Sequence, residues 1–462
     1  MASVPRNELR NILALLRGIA VLLALSPMGA HALPSFAQQT GQPCATCHVG
    51  SFGPQLTAFG RAFKLQGYAL PTTGAKDKSD EGKDFIPLAA MLVTSFTRTR
   101  TDQSQDAGPS AGRNDNFSVQ EASVFLAGHL TDHIGAFAQA TYSDIDGKTQ
   151  LDNVDVRYAR TFTLAEKPTI FGVSLNNNPS VQDAWNTLPA WRFPYMASEL
   201  VPEQAAATLL DGGLEHQVIG LTGYTYWNNA WYLELGGYRS LSRSMLDTLN
   251  VEDDAGRVSG VAPYWRLAWT HDFSGQSLSI GTFGLDANVE PDRRPGPTDK
   301  YRDLGMDASY VLLAAGKHTV TVNGTLTHER RTLDASFATG AAAKPSGSLQ
   351  SRQFNASYYY DGHYGLTLAR FDNRGSRDEG LFASGADTGS RTGKPDSRGT
   401  ILQADWTPFG QTESWAAPWV NLRLGVQYTW YDKFNGAARD YDGFGRNARD
   451  NNTLFLFAWM AF

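Results

Sequence analysis

Thr453-Leu454-Phe455-Leu456-Phe457-Ala458-Trp459-Met460-Ala461-Phe462 reads with a period of two. Leu454, Leu456, Ala458, Met460 and Phe462 share one face, and Phe455, Phe457, Trp459 and Ala461 share the other. Side chains that alternate in this way belong to a β-strand. Neither face suits water. The strand therefore predicts one side against lipid and one side on a lumen that something other than water fills.

Outward from this stretch, fifteen further segments alternate more weakly. They are Phe85–Arg98, Asn116–Leu130, Asp132–Tyr142, Gln150–Thr163, Lys167–Asn176, Glu215–Trp227, Trp231–Leu241, Gly260–Phe273, Ser277–Val289, Lys300–Ala314, Lys317–Arg331, Gln350–Tyr360, His363–Asn373, Arg398–Phe409 and Trp419–Asp432, with Asn452–Phe462 the last. Sixteen is an even number, as bacterial single-chain barrels require. The joins argue more strongly. After even-numbered strands they are mostly short, as at Leu164–Glu166, Asn228–Ala230 and Ser274–Gln276. After odd-numbered strands they are mostly long and polar, as at Thr99–Asp115, Asn177–Leu214 and Arg374–Ser397. Short periplasmic turns and long outer loops are the barrel pattern, and a soluble β-sandwich predicts no such sorting. The expected fold class is all-β: a 16-stranded antiparallel transmembrane β-barrel over residues 85–462, in contact with outer-membrane lipid.

Composition narrows the classes. Of 462 residues, 42% are hydrophobic and 19% charged, and a net charge of −6 excludes a broad basic surface, so no nucleic-acid partner is expected. The sole long apolar run lies at the N-terminus, which excludes a helical-bundle membrane protein. Met1–Ala32 has the layout of a secretory signal. Arg6, Arg10 and Arg17 precede the apolar Ile19–Met28, and Ala30-His31-Ala32 supplies an A-x-A cleavage site. Export carries both cysteines of the chain into an oxidising compartment.

Those cysteines fall in one motif, Cys44-Ala45-Thr46-Cys47-His48, the C-x-x-C-H pattern of c-type haem attachment. Two thiols at this spacing can each add to one porphyrin vinyl group, and the adjacent imidazole then reaches the iron as proximal ligand. One covalent haem c on Cys44, Cys47 and His48 is the expected cofactor. A plain redox pair calls for a thioredoxin-like setting and zinc for further ligands nearby; the sequence offers neither. Pro54–Gln66 reads as a helix, with Pro54 at its first position and Gly67 as its stop. Its stripe of Leu56, Phe59 and Phe63 suits a haem cover, while Arg61 and Lys64 read as solvated charges or propionate partners.

Residues 33–73 form the haem segment and residues 74–84 a polar linker. A segment of about 40 residues rarely builds a sufficient core alone, so it is expected to lean on the barrel wall, inside the lumen. The segment holds no methionine and no second histidine. The sixth iron ligand then comes from elsewhere in the chain, is an unusual group such as Lys64, or is missing. Met91, His129 and His133 are the alternatives at lumen-facing positions of the first three strands.

The longest outer loop, Asn177–Leu214, carries Trp185, Trp191, Arg192, Phe193, Pro194 and Tyr195, and either folds inward or lies on the surface. Within it, Glu203–Asp211 reads as a short helix stopped by Gly212. The outer carboxylates Glu252, Asp253, Asp254, Asp378, Glu379, Asp440 and Asp442 are solvated charges or a field that gathers cations such as Fe²⁺.

Ser35-Phe36-Ala37-Gln38-Gln39-Thr40-Gly41, Cys44–His48, Pro54-Gln55-Leu56 and Phe59–Tyr68 resemble the fused outer-membrane cytochrome–porins of iron-oxidising bacteria, the Cyc2-like proteins. The close match covers about 35 residues; length and barrel pattern agree beyond it, and Gln38 stands where the family commonly carries Arg. The final strand likewise resembles the C-terminal signal of outer-membrane proteins, with Met460 where an aromatic is usual. The resemblance implies a monohaem cytochrome in the pore of a sixteen-stranded barrel. It also implies electron flow from an extracellular donor, Fe(II), to a periplasmic c-type cytochrome. The alternative expectation is a diffusion porin or transporter whose haem segment is a plug or sensor.

Overall fold

The structure is a computed structural model and describes residues 35–70, 87–252, 255–314, 317–411, 414–416 and 420–462. The expected strands all form. They are β1 Leu88–Thr99, β2 Asn116–His129, β3 Ile134–Ser143, β4 Lys148–Leu164, β5 Lys167–Asn176, β6 Val218–Trp227, β7 Trp231–Ser240 and β8 Ala262–Phe273, the last preceded by the short piece Arg257–Val258. Then follow β9 Gln276–Glu290, β10 Asp299–Ala314, β11 His318–Leu333, β12 Ser346–Tyr360, β13 Tyr364–Gly375, β14 Ser397–Trp406, β15 Asn421–Lys433 and β16 Thr453–Ala461. Each strand runs antiparallel to its chain neighbours. β1 also pairs with β16, from Met91 opposite Ala461 to Thr99 opposite Thr453, so the sheet closes on itself.

At one end the joins are tight. Ala165-Glu166, Asn228-Asn229 and Asp361-Gly362 all take left-handed backbone angles, the turn geometry that matches strand twist. The long loops gather at the other end. Side chains alternate as a membrane demands. Leu221, Leu235, Leu304, Met306, Leu366 and Leu368 are exposed on the outer face, while Thr222, Glu234, Asp303, Asp307 and Thr367 of the same strands are buried inside. A closed barrel leaves no unpaired strand edge, so its backbone is satisfied within lipid. This is a porin-like barrel of the bacterial outer-membrane type. Among the described residues no helix is long and apolar enough to cross a membrane.

The lumen is partly filled. α1 (Ser35–Thr40), α2 (Cys44–Cys47) and α3 (Ala58–Leu65) lie inside the barrel and bond its wall on several sides. Tyr68 donates its hydroxyl hydrogen to Asp155 of β4 at 2.7 Å, and Tyr224 of β6 donates to the Leu65 carbonyl at 2.6 Å. Asn421 of β15 donates to the Ser51 carbonyl at 2.8 Å. Arg61 pairs with Asp272 of β8. Lys64 Nζ donates to the Val181 carbonyl and to Asn186 Oδ1, both at 2.7 Å. Arg61 is thus a buried contact with the wall and Lys64 a buried contact with the loop between β5 and β6, not the solvated charges read from the sequence. α3 begins at Ala58, not Pro54, because Thr57 caps it by accepting the Gly60 N–H at 3.2 Å while Leu56 is extended and bridged to His48. Gly67, with φ +70°, follows its end as expected.

The loop between β5 and β6 folds inward onto this segment. Val181, Asp183, Ala184 and Leu188 are fully buried. Its expected helix over Glu203–Asp211 does not form; a single irregular turn spans Leu209–Gly213. Wall carboxylates explain the loss. The amide hydrogens of Leu209 and Leu210 go to Glu329 and Asp303, at 2.5 and 2.8 Å, instead of into a helix. The expected signal, the linker and the start of the expected first strand lie outside the described residues.

Candidate functional site

One turn of α2 sets Cys44 and Cys47 on the same side, and His48 leaves it in an extended conformation (φ −116°, ψ 133°). α3 fixes this turn from below. The Thr57 amide donates to the Cys47 carbonyl at 2.9 Å, and the Thr57 hydroxyl donates to the Thr46 carbonyl at 2.5 Å. A Cβ at position 60 would collide with the Cys47 carbonyl oxygen, so Gly60 is what allows α3 to lie so close.

The motif borders a cavity of about 810 Å³ inside the barrel. That lies in the range of about 300–1,000 Å³ common for small-molecule and cofactor sites. Phe36, Phe52, Phe63, Trp191 and Trp459 supply apolar wall beside Cys44, Cys47 and His48. Both thiols are free, and His48 Nδ1 is buried with no hydrogen-bond partner. Burial pushes the His48 imidazole down to about 4, against the pull of the Gln55 and Gly53 carbonyls, so the ring is neutral. Burial, with Cys44 adding, pushes the Cys47 thiol up to about 12. Two free thiols at helical spacing, a buried neutral imidazole with one unsatisfied nitrogen and an aromatic chamber are a donor set that fits haem c.

The alternatives for a second axial ligand separate. Met91 borders the cavity. His129 shares the parity of the buried Ser123 and Ala127 but is the last residue of β2 and is exposed. His133 falls in the turn before β3, exposed, with its ring 6.1 Å from that of Tyr158. Neither histidine borders the cavity. Lys64 does, but its amine is held by Val181 and Asn186. The sequence reading passed over Met196, which the inward loop brings to the cavity and packs against Phe52 and Trp459. The aromatic run Trp191–Tyr195 just before it was the available signal.

Carboxylates converge on another part of the same wall: Glu121, Asp146, Asp152, Glu199 and Glu215, with His216. Burial, then Asp146, Asp152, Glu203 and Glu215, push Glu199 up to about 7. The acidic residues singled out from sequence are mostly otherwise engaged. Asp378 accepts amides of Ala343, Lys344, Gly380 and Leu381, and Asp442 accepts those of Asp387, Phe444 and Arg446. Glu379 and Asp440 pair with Arg377 and Arg391. Glu252 borders the cavity but pairs with Lys148 at 2.6 Å, and Asp253 and Asp254 lie outside the described residues.

No protein-family profile matches the sequence, and no curated protein matches it. Several solved outer-membrane proteins are similar in structure. An anion-selective porin from Comamonas acidovorans is 12% identical with a TM-score of 0.44, covering 81% of this chain and 98% of its own. The outer-membrane channel DcaP of Acinetobacter baumannii is 11% identical with a TM-score of 0.43, covering 81% and 96%. A loop-deletion mutant of OmpT from Vibrio cholerae is 10% identical with a TM-score of 0.41, covering 81% and 98%.

Proposed function

We propose that this chain is a haem-bearing outer-membrane electron conduit, carrying electrons from an extracellular donor, Fe(II), to a periplasmic c-type cytochrome. The observation that supports this reading is the position of Cys44-Ala45-Thr46-Cys47-His48 on the wall of a lumen cavity rather than on a domain outside the barrel. Haem c, when bound, supplies a reversible one-electron couple. The residues of the chain then have distinct tasks. Cys44 and Cys47 would hold it, His48 would offer a nitrogen to its iron, and Phe36, Phe63 and Trp459 would exclude water from it and so help to set its potential. Met91 and Met196 are the thioethers within reach of the same chamber.

Converting both thioethers, as Met91→Leu with Met196→Leu, is expected to turn the haem high-spin and to remove the near-infrared sulfur-to-iron band. An unaltered absorption spectrum would exclude methionine ligation. The function itself is tested by mixing the oxidised, haem-loaded protein with Fe²⁺ and following haem absorption. Reduction is expected on mixing; none across a pH series would remove Fe(II) as donor.

The barrel itself favours a second reading, since a porin-like fold also suits a diffusion channel with the helical segment as plug or sensor. Rapid leakage of small sugars from liposomes holding the purified protein would select it. The conduit reading expects slow leakage, because the segment and the inward loop occupy the lumen.

A further inference from the structure

We propose that Asp152, Glu215 and His216 bind one divalent first-row transition-metal ion on the wall of the lumen cavity. One donor atom from each residue lies within 4.8 Å of the other two. His216 Nε2 stands 2.8 Å from Asp152 Oδ1 and 3.3 Å from Glu215 Oε1. That nitrogen is sealed from solvent, with its side chain 11% exposed, and both carboxylate oxygens face it at ion-pair distance. An imidazole nitrogen and two carboxylate oxygens converging this closely form a donor set that a divalent first-row cation can bridge in place of the proton between His216 and Asp152.

The barrel brings these groups together. Asp152 sits on β4 near the long-loop end, and Glu215 and His216 come from the chain just before β6. Asp152 Oδ2 accepts the Thr141 hydroxyl at 3.0 Å, which orients the carboxylate as an outer-shell partner orients a metal ligand. Charge acts in the same direction. Glu121 and Glu199 add carboxyls to this wall, and the neighbouring Lys148 is engaged by Glu252. One nitrogen and two oxygens with open positions suit Mn²⁺, Fe²⁺, Co²⁺ or Zn²⁺ better than the all-oxygen preference of Mg²⁺ and Ca²⁺. The site shares its cavity with the C-x-x-C-H motif. Its role as the station where Fe²⁺ meets the conduit rests on the function proposed above; the binding of a cation does not.

The test is a Co²⁺ titration of the full chain in detergent, followed by the visible d–d bands and competed with Zn²⁺. One equivalent with nitrogen ligation is expected. His216→Ala and Asp152→Asn should each weaken it about tenfold or more, the scale on which even outer-shell changes act. Glu379→Gln, in a different loop, should leave it unchanged. Heat-modifiable gel migration reports whether each variant is a folded barrel, and Glu215→Gln replaces Asp152→Asn if that chain does not fold. Unaltered Co²⁺ affinity in a folded His216→Ala barrel overturns the site. The same titration on a Cys44→Ser, Cys47→Ser chain separates the two proposals. Retained Co²⁺ binding there supports the site even if Fe²⁺ fails to reduce the haem of the native chain.

Discussion

Serine at both Cys44 and Cys47 is expected to give a folded barrel that carries no covalent haem. The strands owe nothing to the thiols: each is bonded to its two neighbours, and the closing pairing of β1 with β16 is remote in sequence from the motif. The segment itself is held by Tyr68, Lys64, Arg61 and the Ser51 carbonyl, none of which the substitution touches. Attachment has no second route, because these are the two cysteines of the chain. Peroxidase staining of a denaturing gel should show a haem band for the native protein and none for the variant. Both should keep the same heat-modifiable migration. A stained band that survives in the variant would remove the covalent assignment, and loss of the folded form would show that thioether linkage is needed for the barrel to assemble.

Arg157→Ala is expected to be the most destabilising single change in the wall. Arg157 and Asp155 are wholly buried and paired at 2.7 Å, and Asp155 also accepts Tyr68 and Ser174 at 2.7 Å each. The guanidinium further donates to the carbonyls of Lys64 and Gln182, so one side chain ties together β4, the helical segment and the inward loop. Removing it leaves a carboxylate inside the lumen without its cation, a change of about 3–5 kcal/mol in comparable buried pairs. Chemical unfolding in detergent should show that loss, and single-channel conductance should rise as the segment loosens. Removing both charges as Asp155→Asn with Arg157→Met should recover much of it, since the penalty lies in the unpaired group. Equal loss in the single and double variants would mean that shape, not charge, holds this junction.

The strands were legible because each obeys one local rule, a period of two bounded by turn residues such as Asn228-Asn229 and Asp361-Gly362. The lumen face of the last strand told as much: Phe455, Phe457 and Trp459 are too apolar for water, and Phe52 packs on Trp459 with ring centroids 4.6 Å apart. What stayed hidden depends on contacts between distant parts of the chain. Nothing near Lys64 in sequence announces that Val181 and Asn186 will bury its amine. The inward loop brought Met196 to the cavity, and the pairing of β4 with β5 and of β5 with β6 set Asp152 against His216. His129 shows the complementary limit. Its parity was right, but parity does not reveal that the last position of a strand stays exposed.

The order of the chain has a bearing on biogenesis. Residues 35–70 precede every strand, and the seam that completes the cylinder uses the last segment of the sequence, nine register pairs between β1 and β16. A closed wall leaves the three helices no lateral exit, so a group joined to Cys44 and Cys47 and too large for the mouth would have to be joined before β16 meets β1.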